Sequence, residues 1–93
     1  VRVVVADNDS RDGSAELVEA EFPEVRLLRT GANLGFSGGN NAVLKTLDTE
    51  YVLLLNSDAT VEKNGLDALV DFADTVPDAG IVAPKVINPD GSI

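Results

Sequence analysis

The chain has 93 residues, 44% hydrophobic and 25% charged, which leaves room for one domain of ordinary globular composition. It has no cysteine and no histidine, which excludes disulfides, zinc sites built on thiolate or imidazole, and every Ser-His or Cys-His nucleophile. A net charge of −9 opposes nucleic acid and anionic lipid surfaces, and no apolar run approaches the roughly 20 residues of a membrane span.

The run 1–6 is rich in valine without alternation, as suits a strand buried on both faces. It leads into Asp7-Asn8-Asp9-Ser10-Arg11-Asp12-Gly13. Ala15, Leu17, Val18 and Phe22 then share one helix face, with Ser14 as the N-cap and Glu16 in the first turn. Pro23 ends that helix.

A second strand is expected at 25–28, followed by a segment dense in glycine and asparagine from Thr30 to Asn41. Val43, Leu44 and Leu47 predict a short helix starting near Gly39. A third strand is expected at 51–55, ending in Asn56-Ser57-Asp58. Leu66, Leu69, Val70, Ala73 and Val76 give the clearest helical spacing, closed by Pro77 and Gly80. A fourth strand is expected at 81–87, followed by the turn signal Asn88-Pro89-Asp90-Gly91.

This β-α-β-α-β-α-β alternation predicts an α/β fold, a three-layer Rossmann-like and mostly parallel sheet. The sequence starts inside its first strand and ends just past a turn that normally feeds a return strand. Residues 1–93 are therefore expected to form a single partial domain, cut at both ends.

Ligands of open α/β sheets bind at the carboxyl ends of strands, where three polar clusters fall here. Asp7 can accept hydrogen bonds from a base or ribose, or hold a metal. Asp7, Ser10 and Asp12 can equally cap the next helix. An EF-hand is excluded by register, because Arg11 falls on a ligand position and the glycine comes one residue late. Gly35, Gly38 and Gly39 would let backbone approach a ligand, with a helix N-terminus beside it to receive negative charge. They do not form the dinucleotide fingerprint, and Asn33 and Asn41 can also serve as local caps. Asn56 and Asp58 are oxygen donors one residue apart, a pattern that can hold Mg²⁺ or Mn²⁺ with a diphosphate, or simply close an Asx turn.

Together the three clusters resemble family 2 glycosyltransferases of the GT-A fold, in the rhamnosyltransferase-like branch. The hydrophobic run and Asp-Asn-x-Ser-x-Asp-Gly lie at Val3 to Gly13, Asn-x-Gly-Phe-x-Gly-Gly-Asn-Asn at Asn33 to Asn41, and Leu-Leu-Asn-x-Asp at Leu54 to Asp58. The tail, from Val82 to Gly91, is similar to the family's strand and Asp-Gly hairpin. The resemblance implies inverting transfer of a sugar from a dTDP- or UDP-linked donor to a carbohydrate or lipid-linked acceptor, in polysaccharide or glycolipid synthesis. It implies that Asp7, with Asn8, Ser10 and Asp12 beside it, faces the nucleoside. Asn33, Gly35, Gly39 and Asn41 belong to the donor-site loop, Asn56 lies beside the diphosphate, and Asp58 binds the metal. Asn56 stands where many relatives carry an aspartate, which lowers the local negative charge.

The family's first strand should precede Val1, and its acidic catalytic base should follow Ile93, so this segment alone is expected to be inactive. Without that first strand, the strands at 1–6 and 51–55 would pair directly in the order 2-1-3-4, leave a gap, or recruit another chain through an exposed sheet edge. A cytoplasmic protein is expected, peripheral at the membrane in its full length. Two other readings stand beside this one. A haloacid-dehalogenase-like phosphatase would use Asp7 as nucleophile, Asp9 as acid and Lys85, but no acidic pair follows the last apolar run. A non-catalytic nucleotide-binding fragment is the other.

Overall fold

The computed structural model describes residues 1–93. In chain order the elements are β1 (Val4–Asp7), α1 (Ser14–Glu21), β2 (Arg26–Arg29), α2 (Gly35–Leu44) and α3 (Gly65–Thr75). The chain divides into two units, Val1–Leu54 and Leu55–Ile93.

In the first unit β1 and β2 pair in parallel, Val4 opposite Arg26 through Asp7 opposite Arg29. Helix α1 is the crossover between them, and it packs on β2 while α2 packs on β1. A parallel pair needs a crossover of this kind, and the result is a partial α/β Rossmann-like fold. Ala15 is the most shielded apolar side chain, at 3% exposure. Val4, Val5, Ala6, Leu27 and Leu28 are half-buried along the strands. Arg29 at the end of β2 pairs with Glu16 and Glu19, one turn apart on α1, at 3.8 and 2.5 Å.

Helix α1 is capped differently from the sequence expectation. Ser14 is its first residue, Gly13 is the N-cap with φ +88°, and Asp12 supplies the side-chain acceptor. An acceptor two residues upstream reaches the free Ser14 N–H because the left-handed Gly13 turns the chain back. The buried stripe is also narrower than expected. Ala15 and Val18 face inward, but Leu17 and Phe22 stay exposed.

Both α1 and α3 end two residues before a proline, with the C-cap residue directly preceding it. Phe22 (φ −131°, ψ 65°) and Val76 (φ −129°, ψ 70°) have nearly the same non-helical conformation. Steric pressure from the following proline ring disfavours helical geometry there, as the sequence predicted.

The expected third and fourth strands are absent. The only sheet has two strands, so neither the four-strand order 2-1-3-4 nor direct pairing of 51–55 with β1 occurs. Tyr51, Val52, Leu53, Leu54 and Leu55 are 43–52% exposed. Their composition favours a strand, but a strand also needs a neighbour's N–H and C=O groups. At 81–87, Pro84 removes a ladder donor in mid-run.

In the second unit, α3 buries a narrower face than predicted: Leu66, Leu69 and Ala73 are half-buried, whereas Val70 and Val76 are exposed. Asn64, in the left-handed region at φ +64°, is its N-cap. The predicted turn at 88–91 is closed by Gly91 N–H to Asn88 O at 2.8 Å and Asn88 N–H to Ser92 O at 2.7 Å. No helix is long and apolar enough to cross a membrane.

Candidate functional site

The loop after β1 starts from Asp7, the last strand residue and 9% exposed. Its carbonyl accepts the Thr30 N–H at 3.0 Å, which ties the end of β1 to the residue after β2. Its carboxylate Oδ2 accepts the Ser10 N–H at 3.3 Å, so Ser10 acts through its backbone in holding the loop. Asp9 occupies the left-handed region at φ +63°, which aspartate tolerates better than bulkier residues. Its carboxylate pairs with exposed Arg11 at 3.3 Å. The Asp12 carboxylate accepts both the hydroxyl (2.6 Å) and the N–H (3.0 Å) of Ser14. Those two bonds favour its charged form and hold its pKa below the ordinary 3.8.

Asn8 is the hinge-pin of this region. Its side-chain Nδ2 donates to the Gly35 carbonyl at 3.0 Å, and its Oδ1 faces the Thr30 hydroxyl at 3.1 Å. The Thr30 hydroxyl also lies 2.7 Å from the Ala32 carbonyl and 3.2 Å from the Asp7 carbonyl. One proton serves these three acceptors in turn. Thr30 thus sits at the centre of the polar cluster. Its signal in the sequence is its place directly after β2, where α/β folds gather their polar groups.

The glycine segment is not the loop expected before a helix starting near Gly39. It is the first half of α2, which starts four residues earlier at Gly35. Glycine is a weak helix former, so the local sequence disguises this helix. Tertiary contact supplies what propensity lacks. Gly39 is buried against Asn8, and a Cβ there would fall 2.9 Å from Asn8 Nδ2. A Cβ at Gly38 would fall 2.7 Å from the Leu34 Cβ, while Gly35 takes φ +73° to enter the helix. Asn33 lies just outside and accepts the Gly35 N–H on its Oδ1 at 3.2 Å, satisfying a donor of the first turn. Asn41 lies exposed on the body of α2, where its carbonyl accepts the Lys45 N–H.

The structure therefore brings Asp7, Asn8, Ser10, Asn33, Gly35 and Gly39 into one hydrogen-bonded neighbourhood with Thr30. Asp12 and Asn41 lie outside its network. Asn56 and Asp58 belong to the second unit. There Asn56 to Ala59 form a turn closed by the Ala59 N–H on the Asn56 carbonyl at 3.1 Å. Both side chains are exposed. Nowhere in the chain do three acidic side chains converge in a metal-binding group.

Comparison with known proteins agrees with the resemblance read from the motifs. The family described as glycosyl transferase family 2 matches residues 1–92. An N-acetylglucosaminyl-diphospho-decaprenol L-rhamnosyltransferase of Mycobacterium tuberculosis is 36% identical, over 100% of this chain and 34% of its own length. The low-salt glycan biosynthesis hexosyltransferase Agl10 of Haloferax volcanii is 31% identical, over 95% of this chain and 29% of its own. The succinoglycan biosynthesis protein ExoO of Rhizobium meliloti is 36% identical, over 80% of this chain and 22% of its own. The chain thus spans about a third or less of these relatives (34%, 29% and 22%). No solved structure matches it.

Proposed function

The chain belongs to glycosyl transferase family 2, and from that premise we propose that it carries the donor-binding part of an inverting sugar transferase. The whole protein moves a sugar from a dTDP- or UDP-linked donor to a hydroxyl of a carbohydrate or lipid-linked acceptor, in cell-surface polysaccharide or glycolipid synthesis. The observation that carries this reading is the meeting of the β1 carboxyl end with the start of α2. Asp7 lies at the strand end, and the α2 N-terminus is bound to the next residue, Asn8. A strand end beside a helix N-terminus is where α/β folds receive nucleotides and phosphates.

Asp7 accepts hydrogen bonds from the nucleoside, with Ser10 holding its carboxylate and Asp12 fixing the loop's far end. Asn33 before α2, Gly35 at its start and Asn41 on its body belong to the donor-site segment. Asn56 offers a neutral amide to the diphosphate. Asp58 is the protein carboxylate for the divalent cation. A single exposed carboxylate fits the mode in which diphosphate oxygens and water complete the coordination, rather than an all-protein cage. When bound, Mg²⁺ or Mn²⁺ neutralises the charge that grows on the leaving diphosphate. Inverting transfer also needs a base to take the acceptor proton, and within these residues we assign binding roles only.

A lipid-linked acceptor would place the full-length protein peripherally at the cytoplasmic membrane face. The two-stranded sheet leaves strand edges through which a second copy could pair. Calorimetry of the chain with dTDP or UDP, each with Mn²⁺, tests the donor reading. Heat that depends on the metal is expected, and no heat with either nucleotide in folded protein would sink it. No observation here favours the phosphatase reading.

A further inference from the structure

We propose that Asn8 is a positioning residue for the donor site rather than a donor contact, and that Gly39 is glycine to admit it. This rests on the donor-site reading above. The two polar ends of the Asn8 carboxamide are occupied within the chain, Nδ2 on the Gly35 carbonyl and Oδ1 against the Thr30 hydroxyl. Gly35 and Gly39 are one turn apart on the same face of α2. The amide therefore lies flat along that face, in the space a Cβ at Gly39 would take at 2.9 Å from Nδ2 and 3.1 Å from Oδ1.

The polarity of the link is fixed by its partners. A carbonyl can only accept, so the atom facing Gly35 must be the Asn8 N–H₂. The Thr30 hydroxyl then meets the remaining oxygen, and Thr30 itself is anchored through its N–H to the Asp7 carbonyl. The contacts Asp7–Thr30, Thr30–Asn8 and Asn8–Gly35 thus run in series from the ends of β1 and β2 to the start of α2. Moving the start of α2 moves Asn8, and through it the neighbour of the nucleoside-facing Asp7. Aspartate at position 8 would set a carboxylate oxygen against the Gly35 carbonyl, so it should be worse than alanine, which merely leaves the link unmade.

The test uses Asn8→Ala, Asn8→Asp, Thr30→Val, Thr30→Ser and the double Asn8→Ala/Thr30→Val, with two readouts on each. One is the affinity for UDP or dTDP with Mn²⁺, and the other is the NMR position of the Gly35 to Gly39 backbone amides. Loss of the link should weaken nucleotide binding about tenfold, the size of one hydrogen bond. Asn8→Asp should weaken it further, and the amides of Gly35 to Gly39 should shift in both. Thr30→Ser should keep the wild-type affinity, and the double variant should bind no worse than Asn8→Ala alone. Additive losses, or weakened binding with those amides unmoved, would mean that Asn8 touches the donor, and the proposal falls. If the wild-type chain binds neither nucleotide, the donor reading fails by itself. The amides then decide alone: unmoved in Asn8→Asp and Asn8→Ala, they overturn the positioning role.

Discussion

Asp7 and Asp58, the two carboxylates given ligand roles in the proposed donor site, lie in opposite surroundings. Asp7 is 9% exposed, takes the Ser10 N–H on its side chain, and has its carbonyl tied to Thr30. Asp58 is exposed on a turn closed by one backbone hydrogen bond, with no hydrogen bond or ion pair on its carboxylate. The first is held in place by the chain before any ligand arrives. The second is positioned only by its turn, so in the proposed site a cation and a diphosphate would contribute most of the order around it. On the proposed function, nucleoside recognition would be built into the fold and phosphate recognition assembled on binding.

The largest effect that would sharpen this contrast is at the second region. Asp58→Ala should lower nucleotide affinity in the presence of Mn²⁺ by about a hundredfold, the scale of losing a metal's protein contact. Without metal it should change nothing, and as an exposed substitution it should leave the unfolding free energy within about 0.5 kcal/mol. An equal loss with and without metal, seen by calorimetry, would break the contrast.

Next come the glycines of the first region, where the cost should appear as stability. Gly38→Ala pushes a methyl against the Leu34 Cβ, close to backbone, and should cost about 1–2 kcal/mol in urea unfolding. Gly35→Ala must adopt φ +73° and should cost about 1 kcal/mol. Either variant unfolding at the wild-type midpoint would show that the start of α2 is not held as described.

The smallest effect is a pH dependence at exposed carboxylates. Asp12, through the Ser14 hydroxyl and N–H, and Asp90, through the Ser92 N–H and hydroxyl, both titrate below the ordinary 3.8. A folded-state pKa below the unfolded one adds stability that is complete above the unfolded value and fades as pH falls through the folded one. Ser14→Ala should therefore lower stability at neutral pH and flatten its decline below about pH 4, where the wild type loses that contribution anyway. A decline as steep as in the wild type, followed by circular dichroism, would contradict it.

Much of the site was legible because it follows chain order: polar clusters after apolar runs, and prolines that stop helices. The family motifs at Asp7, Asn33 and Asp58 could be read without any contact. What stayed hidden was set by partners distant in sequence. The run 51–55 has strand composition, yet pairing is a property of two segments and no second segment meets it. The 35–39 stretch reads as a loop from its glycines, and only Asn8 packed on Gly39 explains why it is helix. Ser14 and Asp12 are both good cap residues, and the left-handed Gly13 between them decided which one served.

The exposed run 51–55 opens with Tyr51, the one tyrosine of a chain that has no tryptophan. Its intrinsic emission is therefore a label already installed at that segment. A partner that covered those side chains would change this emission, which makes it a local report on that segment. Titrating a binding partner while watching this fluorescence reads the occupancy of the uncovered apolar strip with no chemical modification of the chain.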